Sequence, residues 1–178
     1  MQSSLRLTLS YLILSSIIQV AASQTVSLTN PANGNIPQQA ATQHFVCNLP
    51  YTHQQCHEQM TVLKLQLDKY GAGRLGEWTW ILVKSADWKE LQLKHGMNPD
   101  SPAFTVLDRR ETFFEEALVS PVTARRAELI KIWSLGIDNL LDLAVTHELG
   151  HALCNEKSEK KADDHGAELR SGRIVVCK

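Results

Sequence analysis

The stretch 138–155, DNLLDLAVTHELGHALCN, constrains this chain more than any other part of it. No proline interrupts it, leucine and alanine dominate it, and Asp138 is a suitable N-cap, so it reads as one helix. Each helical residue turns by about 100°, so a step of four returns close to the same face. His147 and His151 therefore project side by side, one turn apart. Whatever fold the chain adopts must accommodate two imidazoles that converge on one point.

Two neutral imidazoles at that spacing suit a single Zn²⁺, with Zn–N bonds of ~2.0–2.1 Å. Glu148 lies about 100° round from His147, beside the metal position rather than on it. This is the H-E-x-x-H arrangement, in which the glutamate serves as general base for a zinc-activated water. A catalytic zinc takes three protein ligands and keeps one position open, so a third ligand must come from elsewhere. A second helix is expected over 159–170, capped by Ser158 and ended by Gly172. On it Glu159 and Asp163 share a face. If the first helix ends near Asn155 and the chain folds back through Glu156 and Lys157, Glu159 becomes the third ligand. Asp163 then accepts a hydrogen bond from the outer nitrogen of a histidine. Asp163, Asp164 and His165 are alternatives for the third ligand.

The sequence HELGH followed by E-x-x-x-D resembles the gluzincin class of zinc metallopeptidases, and its E-x-x-A-D form resembles the small bacterial zincin-like families. The resemblance covers residues 147–169. Seven residues separate His151 from Glu159, a short return for the class. It implies His147, His151 and Glu159 as ligands of one catalytic Zn²⁺, Glu148 as the general base, and Asp163 behind a histidine. It also implies an α+β, zincin-like fold: a mixed sheet packed on the metal-bearing helix, with an edge strand over the cleft. A peptide or protein substrate would pair with that edge in extended form. The edge strand is expected within 103–114. The metzincin pattern needs a glycine and a histidine where this chain has Cys154 and Lys157.

The start of the chain has the three parts of a secretory signal peptide: a basic residue, Arg6, an apolar stretch over 7–20, and the small residues Ala21, Ala22 and Ser23. Residues 1–23 are accordingly expected to be removed on export, leaving a secreted or periplasmic protein with no membrane attachment. Export makes Cys47, Cys56, Cys154 and Cys177 candidates for two disulfides. Of the three pairings, Cys47–Cys56 with Cys154–Cys177 is the economical one; Cys154 as a thiolate ligand is the competing reading. Residues 24–46 are polar and read as a disordered linker, which leaves 47–178 as a single metallopeptidase domain, expected to be a monomer. A net charge of −1 and the lack of a basic run argue against a nucleic-acid partner.

Between these landmarks, a helix is expected from about Glu58 to Gly71, with a strand over 61–67 as the alternative. The aromatic and β-branched stretch 77–84 is the best strand. A short helix over 87–95, a hairpin with arms 103–107 and 111–114, and a helix over 121–133 complete the order. Arg125 and Arg126 are expected to face solvent, the tryptophans to be core or half-buried, and His44, His53, His57 and His95 to lie on the surface. The functional expectation is a secreted zinc-dependent peptidase. Its rivals are a non-catalytic zinc-binding module, and a disulfide-held structural protein in which HELGH is accidental.

Overall fold

Trp78–Val83, inside the stretch that reads most strongly as a strand, forms β3 at the centre of a sheet. The computed structural model describes residues 25–26, 42–48, 50–98, 100–121, 123–133 and 139–177. The signal peptide expected over 1–23 and the proposed cap Asp138 lie outside them. Five strands run in the order β1-β2-β3-β5-β4. β1 (Thr25–Val26) is antiparallel to β2 (Gln43–Cys47). β2, β3 and β5 (Glu111–Glu115) are parallel. β4 (Ala103–Val106), the first arm of the expected hairpin, runs antiparallel to β5, the second arm, and forms one edge of the sheet.

Both faces of this mixed sheet are covered, which is why β3 is hydrophobic almost throughout. On one face Trp78, Trp80, Leu82 and Phe114 pack with Leu63 and Leu67 of α1 (His53–Lys69) and with Val145 and Leu149 of α4 (Leu140–Cys154). On the other, Val83, Phe104 and Phe113 pack with Trp88 of α2 (Ser85–Lys94). Three tryptophans are thus core, whereas Trp133 is exposed. The architecture is α+β. Among the described residues no helix is long and apolar enough to cross a membrane.

Three expectations need correction. β2 takes up the end of the stretch read as a linker, 24–46. Its five residues show too little alternation to stand out, and its partner β3 begins 31 residues after it ends (47 to 78). α1 starts at His53 rather than near Glu58, because Thr52 and Gln55 form a reciprocal capping box. Arg125 and Arg126, at the start of α3 (Ala124–Ile132), do not simply face solvent. Glu115 at the end of β5 is fully buried, and the Arg125 guanidinium lies 3.0 Å from it. Arg126 donates to the carbonyls of Leu118 and Ser120. A buried carboxylate requires such a partner, and only the folded chain reveals that Glu115 is buried.

All four cysteines are paired. Cys47–Cys56 joins the end of β2 to α1, and Cys154–Cys177 ties the C-terminal tail to the end of α4. Two disulfides fit an oxidising compartment.

Candidate metal centre

The site is made by α4 and α5 (Glu159–Arg170) folding back on one another. Asn155 stops α4 in the left-handed region, at φ 50°, a conformation that asparagine tolerates better than most residues. The amide of Glu156 then donates to the carbonyl of His151 at 2.9 Å. Two residues on, the Ser158 side chain caps α5. The reversal is tight because α5 lies almost against the backbone of α4. A Cβ on Gly150 would sit 2.5 Å from the carbonyl oxygen of Ala162, and one on Gly166 would sit 3.1 Å from that of Thr146. The glycine inside HELGH is therefore what lets the second helix approach.

That approach brings Glu159 to the histidines. His147 Nε2 lies 3.1 Å from His151 Nε2 and 3.1 Å from Glu159 Oε2, and His151 Nε2 lies 3.6 Å from the same oxygen. Donors held around a tetrahedral zinc by bonds of ~2.0–2.1 Å are themselves spaced by roughly 3.3–3.4 Å. The triangle therefore fits an ion of that size. The outer nitrogens fit it too. His151 Nδ1 is 2.6 Å from the carbonyl oxygen of Glu156, and His147 Nδ1 is 2.8 Å from Asp163 Oδ1. Both partners are acceptors, so in the neutral imidazoles each Nδ1 carries the proton and each Nε2 turns a bare lone pair inward. Three electron-pair donors then meet at one point, which suits a cation.

The other ligand candidates are engaged elsewhere. Asp163 is on the outer nitrogen of His147. Asp164 pairs with Lys160, His165 lies near Glu168, and Cys154 is oxidised. Among the described residues, His147, His151 and Glu159 are the group that can hold a metal ion. His151 is buried, whereas the Glu159 side chain is largely exposed, so the group opens to one side.

Glu148 is only 3% exposed, yet it borders a cleft of about 570 Å³ that runs along β4 beside the ligand group. Burial pushes its pKa up. His147, the Thr105 hydroxyl and His151 pull it down, and the net effect is upward. For His147 the balance is reversed. Burial lowers its pKa, but the charges of Glu148, Asp163 and Glu159 and the bond to Asp163 outweigh that and hold it above the usual value. The same negative field favours a metal cation.

Two contributors escaped the sequence reading. His95 lines the cleft with its ring against Phe104 and Phe113, rather than standing free on the surface. Thr105 donates to Glu148 Oε2 at 2.7 Å. The available signal was a pair of threonines, at 105 and 112, among apolar residues of the hairpin. No protein family, curated protein or solved structure matches the chain.

Proposed function

We propose that this chain is a secreted zinc-dependent peptidase, exported through residues 1–23. The observation that carries the reading is the convergence of two imidazole nitrogens and one carboxylate oxygen, with a buried glutamate beside them and a sheet edge along the same cleft. Two histidines and a glutamate form a ligand set that catalytic zinc uses. Zinc, when bound, supplies Lewis acidity towards a carbonyl oxygen and makes water a nucleophile near neutral pH.

The residues of the chain do the remainder. Asp163 and the Glu156 carbonyl hold the imidazoles in the tautomer that ligation needs. Glu148 takes the proton from the attacking water and passes it to the leaving amine. An extended peptide or protein substrate would pair with β4, the sheet edge that lines the cleft, which gives affinity with little side-chain preference. On this reading the mixed sheet and its metal-bearing helix form a zincin-like domain that works as a monomer, related to the small gluzincin-type peptidases that its motif resembles.

A non-catalytic zinc-binding module is the second reading. It is favoured by the deep burial of Glu148 and by its hydrogen bond to Thr105, as a structural carboxylate would have. Glu148→Gln separates the two. The peptidase reading expects the variant to bind zinc as the wild type does and to lose turnover by about 10²–10⁴-fold. Undiminished cleavage by the variant would remove Glu148 from its role. A zinc-loaded wild type that cleaves nothing in a diverse peptide library would establish the binding module instead.

A further inference from the structure

Thr105 and Thr112 face each other across β4 and β5 as a register pair. Thr112 is fully buried, at a position where β-branched valine would fit the strand equally well. A hydroxyl enclosed there is costly unless it is bonded. It is bonded on both sides. Trp78 Nε1 lies 3.0 Å from Thr112 Oγ1, Thr112 Oγ1 lies 2.9 Å from Thr105 Oγ1, and Thr105 Oγ1 lies 2.7 Å from Glu148 Oε2.

The two ends of this chain determine its direction. An indole N–H can only donate, and Thr105 spends its one hydroxyl proton on Glu148 Oε2. Thr112 therefore accepts from Trp78 and donates to Thr105, and Thr105 donates to Glu148. Neither hydroxyl can turn round without breaking a bond.

We propose that Trp78, Thr112 and Thr105 form a relay that positions the general base, by holding Glu148 Oε2 as an acceptor and leaving Oε1 to meet the reacting proton. The inference rests on the peptidase reading and deepens it. Thr105 and Thr112 are positioning residues, since they act through Glu148. The 2.7 Å contact with Thr105 Oγ1 sets which carboxylate oxygen is anchored. Thr105 also belongs to β4, the strand whose free edge would pair with substrate. The seat of the substrate and the orientation of the base are thereby set by one element.

The test uses the zinc-loaded full chain and its Thr105→Val, Thr105→Ser and Thr112→Val variants. Thr105→Val is expected to keep zinc affinity and thermal stability close to wild type. Its kcat should fall by about 10–100-fold at unchanged KM, the size of effect typical of groups that orient reacting residues. Thr105→Ser should restore most of the loss, because it returns the donor. Thr112→Val, one bond further back, should show a smaller loss of the same kind. A second readout needs no turnover: the ¹³C resonance of the Glu148 carboxyl, assigned by its disappearance in Glu148→Gln. It should shift in Thr105→Val and return in Thr105→Ser. Unchanged kcat and an unmoved resonance in Thr105→Val would overturn the relay. So would a loss of zinc affinity or stability large enough to account for the fall in kcat. If the wild type cleaves no peptide but the resonance moves as described, the relay stands and the peptidase reading is what fails.

Discussion

At the scale of single residues, a carboxylate here takes its properties from its surroundings rather than its type. Burial raises the pKa of Glu148, whereas that of Asp142, six residues earlier on the same helix, ends below its usual value. Burial pushes Asp142 up, but Tyr70, Lys69 and Gln66 all donate to one of its oxygens and outweigh that effect. The folded protein thus holds the charged form more firmly than the unfolded chain does. The stability this contributes is fully present above about pH 4, the unfolded aspartate range, and is lost as pH falls through the depressed folded value. Asp142→Asn should lower stability at neutral pH by about 1.5–3 kcal/mol, the range for hydrogen bonds to a charged group. It should also flatten the decline below pH 4. Urea denaturation at several pH values checks both, and a variant whose acid decline matches the wild type would contradict the assignment. The motif residues themselves were legible, because the relation between His147, Glu148 and His151 is a property of one helix. The bond from Thr105 to Glu148 was not, because it spans 43 residues of sequence.

At the scale of elements, the crossing of α4 and α5 decides the site. The expected return from Asn155 to Glu159 is present, made by a left-handed asparagine and a serine cap. Its closeness depends on Gly150 and Gly166. An alanine at Gly150 gains up to about 1 kcal/mol of helix propensity. Its methyl group would, however, stand 2.5 Å from a backbone oxygen that cannot rotate away. Overpacking of that kind costs about 1–3 kcal/mol, so the clash should win. Gly150→Ala is therefore expected to push α5 outward, lower the melting temperature and weaken zinc binding, since Glu159 and Asp163 move with α5. Calorimetry and zinc titration measure the two effects. A variant more stable than wild type with unchanged zinc affinity would show that α5 can yield. Helix and strand types were mostly legible because their periods are local. The start of α1 was missed although its cap is equally local, since Thr52 and Gln55 precede the apolar pattern they serve.

At the scale of the whole molecule, the two disulfides brace different parts of the fold. Cys47–Cys56 anchors β2, while Cys154–Cys177 pins the tail one turn beyond His151. The second closes a separation of 23 residues, a loop whose constraint on the unfolded chain is worth about 3 kcal/mol. Replacing Cys154 and Cys177 together by alanine should lower the melting temperature by several degrees. Zinc binding should survive at low temperature, because neither sulfur is a ligand. Loss of zinc binding in the cold would mean that the clamp shapes the site. The pairing could be anticipated because short loops close most readily, but other long-range relations could not. The sequence alone determined whatever depends on a fixed local period or a short span: two imidazoles on one helical face, the glutamate beside them, the central strand, the hairpin and the economical disulfides. Only the tertiary structure decided that Glu159 faces the ring nitrogens while Asp163 stands behind one of them. It alone placed β2 in the sheet, Arg125 on the buried Glu115 and Thr105 on Glu148. Each of these rests on the distance between elements far apart in the chain, and that distance is set by how their surfaces pack.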